Sequence, residues 1–281
     1  MEISITFAGA FINFTEAEKN NGVQAASFLF ACNVIVWNEK LKRLLDIIVS
    51  FSGLISLSPI LGVIILLIWL QDFHSPFYIA PRVGKNGRIF KMVKLRSMIV
   101  GADKSGVDST SSGDSRITAI GHLVRKCKFD EISQLWNVLT GDMSLVGPRP
   151  NVKRETDLYT VVEERLLSVR PGITDISSIV FADEGEILKG SADPDIDYNQ
   201  LIRPWKSRLG LIYIKNRSIW IDLQLLWLTA VAMLSRKHAL SGIHFMLEKM
   251  NAPDSVIRVA MRRDKLVPHP PPGSDAIVTF R

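Results

Sequence analysis

The chain has 281 residues, of which 47% are hydrophobic, and its mean hydropathy of +0.18 predicts one membrane segment joined to a globular domain rather than a many-span transporter. The net charge of +6 favours anionic partners, namely lipid headgroups, phosphorylated substrates or nucleic acid, although basic charge is also common on cytoplasmic domains that face a membrane. Two cysteines without a CxxC spacing and five histidines without ligand spacing predict neither a disulfide framework nor a zinc site.

Residues 1–37 are predicted to be an N-terminal extension. The sequence turns acidic and polar soon after Met1, so a cleaved signal peptide is not expected. Within the extension, the apolar stretch AASFLFACNVIVW (25–37) is compatible with a short strand, a core helix or an interfacial helix. The residues alone leave these three alternatives open.

Residues 38–72 are the predicted membrane unit, and residues 47–70 carry no charge over 24 positions. This length permits a helix to cross a bilayer. Pro59 removes a backbone donor and kinks a helix, while Ser56 and Ser58 offer hydroxyls to the freed carbonyls. Basic residues flank the run on both sides, and such residues prefer the cytoplasm. A re-entrant helix-break-helix is therefore slightly favoured over a proline-kinked span.

The next part of the chain, 73–236, is predicted to be the globular domain. The pattern predicts, in order, a hairpin over 77–98 that turns at 84–87, a polar mobile loop over 101–116 and a helical region over 117–146. It continues with an acidic amphipathic helix over 155–169, a loop-rich segment over 183–204 and an apolar helix over 218–234. Because Asp222 lies inside that last helix, an interfacial or core position is favoured over a span. Residues 237–281 form a C-terminal tail, poorly ordered over the proline-rich 265–281.

The densest set of polar candidates is RKCKFDEISQLWNVLTGDMSLVGPRP (125–150). Its apolar residues recur at helical spacing, which places Asp130 opposite the apolar stripe and Glu131 at its edge. Basic residues and a helix N-terminus nearby suit phosphate oxygens, so this acid pair is a candidate phosphoryl-transfer or Mg²⁺ site. The alternative is a solvated helix face, the default role of the other acid pairs. Cys127 is interpreted as a packing residue rather than a nucleophile.

Several segments together resemble the bacterial sugar transferases, the monotopic polyprenyl-phosphate phosphoglycosyltransferases that include undecaprenyl-phosphate sugar phosphotransferases. The resemblance runs from about residue 40 to 234. It is carried by KRLLDIIVS (42–50), Ser58-Pro59, FKMVKLRSM (90–98), the 125–150 block, RPGIT (170–174) and YIKNRSIWIDLQLL (213–226).

The resemblance implies a mainly helical α/β fold at the cytoplasmic face of the bacterial inner membrane. It implies a re-entrant helix broken at Ser58-Pro59, and a small cytoplasmic catalytic domain with amphipathic interfacial helices. It also implies transfer of a sugar-1-phosphate from a UDP-sugar to a polyprenyl phosphate, with release of UMP, through a covalent intermediate. The residues that match family positions are Asp130 as nucleophile, Glu131 as ligand of Mg²⁺ (or of Mn²⁺ in its place), and Lys94, Arg96, Arg125, Arg149 and Arg170 as phosphate-binding groups.

The resemblance further implies partners: a UDP-sugar, polyprenyl phosphate, membrane lipid, and downstream glycosyltransferases of exopolysaccharide, O-antigen or lipopolysaccharide synthesis. Residues 1–37 and 237–281 exceed the family core, and either homo-oligomer formation or a passive role is open for them. The sugar is not predicted, because Asp175 follows RPGIT where many relatives continue with glycine. The main rival is a membrane-anchored adaptor that binds anionic lipid or polyanion without catalysis. A nucleic-acid binder is the least favoured reading, since no binding motif appears.

Overall fold

The computed structural model describes residues 39–103, 109–111 and 113–279, and the backbone alone of 3–7, 10–14, 22–38 and 104–105. The strands are β1 (Ile3–Phe7), β2 (Ala10–Phe14), β3 (Phe77–Val83), β4 (Ile89–Leu95), β5 (Ser144–Val146) and β6 (Gly172–Thr174). The α-helices are α1 (Gly22–Asp72), α2 (Ala119–Lys126), α3 (Phe129–Ile132), α4 (Leu135–Thr140), α5 (Lys153–Thr156), α6 (Ile176–Val180), α7 (Glu184–Ile187), α8 (Pro194–Asp197), α9 (Arg203–Asn216), α10 (Ile219–Leu234), α11 (Arg236–Lys249) and α12 (Asp254–Ala260). The described residues are thus mainly helical, with three two-stranded sheets.

The apolar run belongs to α1, which contains Pro59 and also the stretch 25–37, so that stretch is helical. The predicted interruption at Ser58-Pro59 does not appear in the secondary structure, because α1 continues through both residues. Ser58 Oγ donates to the Ile55 carbonyl at 2.7 Å, the acceptor that a proline at position 59 leaves without its helical donor. Ser58 thus donates to the freed carbonyl, as expected from the sequence, and the helix continues through its proline.

One face of α1 packs on the globular part of the chain while the other is exposed. Its buried residues include Leu61, Ile64 and Ile68, which form a small core with Leu95 of β4 and Val124 of α2. The segment 39–72 is long and apolar enough to cross a membrane, and only 11% of its most apolar window is buried. Such a continuous exposed apolar surface indicates contact with lipid.

Polar contacts join both ends of this apolar segment to the same domain. At the N-terminal end, Lys42 Nζ lies 2.5 Å from Asp222 of α10, and Asp46 accepts from the Leu145 amide of β5 at 3.0 Å. At the C-terminal end, Asp72 accepts two hydrogen bonds from Arg96, at 2.5 and 2.6 Å. The helix therefore lies along the domain rather than projecting from it.

The hairpin prediction for 77–98 is confirmed. β3 and β4 pair antiparallel, with Phe77 opposite Leu95 and Val83 opposite Ile89. The turn is closed by Asn86 (φ 57°) and Gly87 (φ 76°), residue types that adopt the left-handed region at low cost.

The region 117–146 is divided into α2, α3 and α4, followed by β5, rather than forming one helix. Lys128 (φ 58°) lies in the left-handed region between α2 and α3 and redirects the chain. A second difference concerns 155–169, which forms only the end of α5 and a 3-10 turn over Glu163–Ser168. There Thr160 and Glu163 exchange hydrogen bonds, and the buried Glu163 pairs with Arg203 at 2.7 Å.

The main hydrophobic core is formed by α6, α9, α10 and α11 around the β5–β6 pair. α11 and α12 contribute to it although they lie almost wholly in the predicted tail 237–281. The sequence predicts that residues 183–204 are rich in loops, but the structure forms α7, α8 and a π-helical turn over Tyr198–Ile202 there. The expectation of a poorly ordered 265–281 differs from the structure over 265–279. Thr160 Oγ1 donates to the Pro272 carbonyl at 2.5 Å, and His269 packs against Trp205 with ring centroids 4.5 Å apart and the ring planes tilted by 59°.

Candidate active site

Asp130 and Glu131 lie in the short helix α3, held against the open edge of β4. Ser133 Oγ donates to the Val93 carbonyl at 3.2 Å. Asn137 of α4 donates to the Lys91 carbonyl at 2.8 Å and accepts from the Val93 amide at 2.9 Å. These side chains satisfy backbone groups that an edge strand otherwise exposes. They also fix the acid pair beside the strand that carries Lys94.

Arg149 reaches the acid pair from the segment after β5. Gly147 donates its amide to Thr174 of β6, and Gly172 donates to Pro148, both at 3.0 Å. The two glycines approach so closely that a Cβ on Gly172 would lie 2.1 Å from the Gly147 nitrogen. The GPRP and RPGIT motifs are therefore one structural unit, and it delivers Arg149 to α3.

Two clefts meet at Asp130. The first, called here the apolar cleft, has a volume of about 610 Å³, and the second, the polar cleft, about 640 Å³. Asp130, Lys94 and Arg125 line both. The apolar cleft is also lined by Phe77, Tyr78, Ile89, Leu95, Met98 and Ile99. The polar cleft is also lined by Lys128, Gln134, Ser178, Phe181, Tyr198 and Lys206.

Glu131 lies on the polar side and is paired with Arg149, whose Nη2 donates to Oε1 at 2.7 Å. Burial raises the pKa of the Glu131 carboxyl, but Arg149 and Lys128 outweigh burial and lower it to about 2. Glu131 is therefore a carboxylate at neutral pH. Its charge in turn raises the pKa of the Arg149 guanidinium, so this pair stays ionised.

Asp130 is half-buried at the junction of the clefts. Burial raises the pKa of its carboxyl, and the charge of Glu131 adds to this effect, whereas Lys94 and Arg149 oppose it. Burial also lowers the pKa of the Lys94 ammonium, to about 8, with Arg149 acting in the same direction. The junction thus combines a partly desolvated carboxylate with basic groups, an arrangement suited to attack on phosphorus.

The other predicted residues differ in which clefts they line. Arg125 lines both clefts and donates from Nε to Ser97 Oγ at 2.9 Å. Arg96 lines the apolar cleft, but its guanidinium is engaged by Asp72 and by the Ser75 carbonyl. Arg170 lines neither cleft, and its Nε donates to the Gly141 carbonyl at 3.0 Å. The structure therefore does not bring Arg170 to the acid pair.

Several lining residues were not anticipated from the sequence. Tyr198 and Lys206 reach the polar cleft from the α8–α9 region, and Lys206 pairs with Glu184 of α7. No local pattern marks them, because they follow Asp130 by about seventy residues and meet it only through the fold. The spacing of Ser133 and Asn137, one helical turn apart, would have identified the face that meets β4.

The metal-ligand chemistry of the site is limited to the acid pair. Within the described ranges, no three His, Cys, Asp or Glu side chains cluster in a way that could hold a metal ion. Magnesium in phosphoryl-transfer sites is usually held by one or two carboxylates together with oxygens of the substrate phosphates. Asp130 and Glu131 fit that pattern, and they do not fit a dedicated structural metal site.

The fold and the site define a class of protein: a mainly helical domain with a long apolar helix and an acid pair among basic side chains. The family model for bacterial sugar transferases matches residues 37–236. The chain therefore belongs to the bacterial sugar transferase family. This membership favours an enzyme over the adaptor and nucleic-acid readings.

Three curated relatives illustrate the family. A UDP-galactose-lipid carrier transferase of Erwinia amylovora is 32% identical over 214 residues, 71% of this chain and 41% of the relative. An undecaprenyl-phosphate glucose phosphotransferase of Komagataeibacter xylinus is 36% identical over 202 residues, 69% of this chain and 36% of the relative. The exopolysaccharide production protein ExoY of Sinorhizobium fredii is 32% identical over 207 residues, 68% of this chain and 84% of the relative. The chain thus spans about two fifths of the first two and most of the third.

Proposed function

We propose that the protein transfers a sugar-1-phosphate from a nucleotide-diphosphate sugar, a UDP-sugar in the first instance, to a polyprenyl phosphate such as undecaprenyl phosphate. UMP is released, and the product starts a surface glycan that downstream glycosyltransferases extend. The observation that carries this proposal is the position of Asp130 among Lys94, Arg125 and Arg149, in a chain whose relatives are named as lipid-carrier sugar transferases.

In the first step, a carboxylate oxygen of Asp130 attacks the phosphorus that carries the sugar. The Asp130 O–P bond forms, the anhydride P–O bond breaks, and UMP leaves with the bridging oxygen. In the second step, a phosphate oxygen of the polyprenyl phosphate attacks the same phosphorus and displaces Asp130. The carboxylate is regenerated, and no oxidant or further reactant is needed.

Basic side chains reduce the repulsion between these anions. Lys94 and Arg125 line the junction where the phosphates meet, and Arg149 holds Glu131 ionised. Glu131, together with oxygens of the diphosphate, would hold Mg²⁺, or Mn²⁺ in its place, and this ion supplies further neutralisation of phosphate charge.

The proposal includes a re-entrant placement of 39–72 at the cytoplasmic face of the bacterial inner membrane. Asp46 and Asp72 both contact the globular domain, and the 26 residues from one to the other correspond to about 39 Å of helix. This exceeds the hydrocarbon thickness of about 30 Å. A domain on one side of the membrane cannot contact both ends of a segment that crosses it. The contacts therefore support a segment that enters and leaves on one side.

The test is a comparison of Asp130→Asn with Asp157→Asn, a matched change at an exposed surface acid. Each is incubated with polyprenyl phosphate and a panel of UDP-sugars, and UMP release is measured. Asparagine keeps the shape but is a far poorer nucleophile, so Asp130→Asn is expected to lose at least about 10⁴-fold in turnover. Asp157→Asn is expected to match the wild type. Arg149→Ala should be milder, with a loss of about 10²-fold.

A second measurement examines the covalent step directly. Wild-type protein given labelled UDP-sugar without acceptor should carry sugar phosphate on a peptide that contains Asp130. Near-normal turnover of Asp130→Asn, together with no such adduct, would favour direct attack by the polyprenyl phosphate. No UMP release from wild-type protein with any donor would instead favour the adaptor.

A further inference from the structure

The two clefts at Asp130 differ in chemistry although they share the same inner end. The apolar cleft is lined by residues of the β3–β4 hairpin and of the segment after β4, and among them Ile89 and Ile99 are 55% and 53% exposed. Isoleucine side chains are unfavourable next to water, whereas contact with a hydrocarbon chain buries them favourably. The lining therefore matches a ligand with a long apolar part.

The apolar cleft also lies next to the end of the membrane helix. Its lining includes His74 and Ser75, which follow Asp72, the last residue of α1, after Phe73, and Phe73 is 69% exposed. The exposed apolar surface of α1 thus leads towards this cleft along the chain.

The inner end of the cleft is basic, which specifies the polar end of the ligand. Two arginines that line the cleft are paired with carboxylates among the described residues: Arg96 with Asp72 and Arg116 with Asp114. None of these pairs includes Lys94 or Arg125, which line the cleft beside Asp130. An apolar passage that ends at two such cations fits an anionic head on a hydrocarbon chain.

The polar cleft has the opposite character. Gln134 is 2% exposed and lines it, and the amide nitrogen of Gln134 has no hydrogen-bond partner among the described residues. A buried donor without a partner is costly, so a ligand with acceptor oxygens is expected there. Sugar, diphosphate and nucleoside groups all supply such oxygens.

From these observations, and resting on the proposed function, we infer that the apolar cleft binds the first isoprene units of the acceptor lipid while the polar cleft binds the nucleotide sugar. In-line attack in both steps requires the departing UMP phosphate and the incoming lipid phosphate to occupy the same place opposite Asp130. The two substrates thus share the phosphate position at Lys94 and Arg125, and they diverge into different clefts beyond it.

The experiment replaces Ile89 and Ile99 together by glutamine and compares the variant with Ile79→Gln. Ile79 lies on the same hairpin with similar exposure, 57%, but does not line either cleft. Michaelis constants are measured for a long-chain polyprenyl phosphate, for a phosphate with three isoprene units, and for the UDP-sugar that supports turnover. The Ile89/Ile99 variant should raise the KM for both lipids on the order of tenfold. Its KM for the UDP-sugar, and all constants of Ile79→Gln, should stay at wild-type values.

The possible outcomes separate this inference from the proposed function. An unchanged acceptor KM, an equal rise in the UDP-sugar KM, or an equal effect of Ile79→Gln would overturn the assignment of the clefts while leaving the reaction intact. A wild-type protein that transfers sugar phosphate to no polyprenyl phosphate would overturn both.

Discussion

Lys94 is the basic side chain at the junction whose charge depends on pH near neutrality. Its pKa is lowered to about 8, so the ammonium loses its charge as the pH rises through that value. Because kcat/KM reports the free enzyme, it should fall above about pH 8 as attraction for phosphate is lost. In Lys94→Arg the guanidinium stays charged, and the alkaline fall should move to higher pH. A pH profile of UMP release for the two proteins checks this, and an identical alkaline limb would contradict it.

The acid side of the same profile belongs to Asp130. The carboxyl pKa is raised by burial, and attack requires the ionised form. Activity should therefore fall on acidification at a higher pH than it would with an ordinary aspartic acid. An identical acid limb in wild type and Lys94→Ala would show that the charge of Lys94 does not act on Asp130. Since Lys94 lowers this pKa, its removal should move the acid limb to higher pH.

At the residue scale, motif matching placed Asp130, Glu131, Lys94 and Arg149 together, because these side chains belong to short segments with fixed internal geometry. It could not distinguish Arg96 and Arg170 from them. The partner of Arg96 is Asp72, on another element, and the acceptor of Arg170 is the carbonyl of Gly141. Such competition is decided by tertiary packing, which a sequence pattern does not contain.

At the scale of elements, the serine before Pro59 explains how α1 continues through it. Ser58 supplies the donor that Pro59 lacks, so Ser58→Ala should leave the Ile55 carbonyl unsatisfied and cost about 1–3 kcal/mol. In a Pro59→Ala background, the new backbone amide satisfies that carbonyl, and the same change should cost close to nothing. Thermal unfolding in lipid nanodiscs of the four proteins gives the coupling energy.

Ser56 provides the matched control for this cycle. Its hydroxyl donates to the Gly53 carbonyl at 3.2 Å, an acceptor that also has its own helical donor from residue 57. Ser56→Ala should therefore be milder than Ser58→Ala in either background. Equal costs of Ser58→Ala with and without Pro59 would show that the serine does not compensate for the proline.

The hairpin and α10 could be predicted because their signals are local: alternation around an Asn-Gly turn, and a long apolar run. The division of 117–146 could not, because it depends on Lys128 adopting a positive φ, which is uncommon for lysine. The segment 155–169 has helical periodicity in its sequence. Its Glu163 is instead drawn into a buried pair with Arg203, forty residues away, and this contact overrides local propensity.

At the scale of the whole molecule, the proline-rich C-terminal segment is part of the folded domain. It contacts the domain through hydrogen bonds from Thr160, Gln200 and Arg208 and through the ring contact of His269 with Trp205. Truncation after residue 264 should therefore lower the Tm by on the order of 5–10 °C. Truncation after residue 274 keeps most of these contacts and should lower it less. An unchanged Tm after the first truncation would indicate the poorly ordered tail that composition suggests.

The proposed one-sided placement of the apolar helix is a statement about the whole molecule, because the domain contacts both ends of 39–72. Lys40 and Arg88 are exposed positions on the two sides of the uncharged run 47–70. Each is replaced by cysteine in a chain whose Cys32 and Cys127 have been changed to serine, and intact cells are treated with a membrane-impermeant thiol reagent. Both cysteines should resist labelling, because both ends lie on the cytoplasmic side.

Permeabilised cells serve as the control, and both cysteines should label there. Labelling of only one position in intact cells would demonstrate a spanning helix. In that case the Lys42–Asp222 and Asp72–Arg96 ion pairs could not form at the same time, because one domain cannot contact both ends of a helix that crosses the bilayer. Breaking each pair separately, by Lys42→Met or Asp72→Asn, would then show from the change in Tm which of the two contacts stabilises the protein in the membrane.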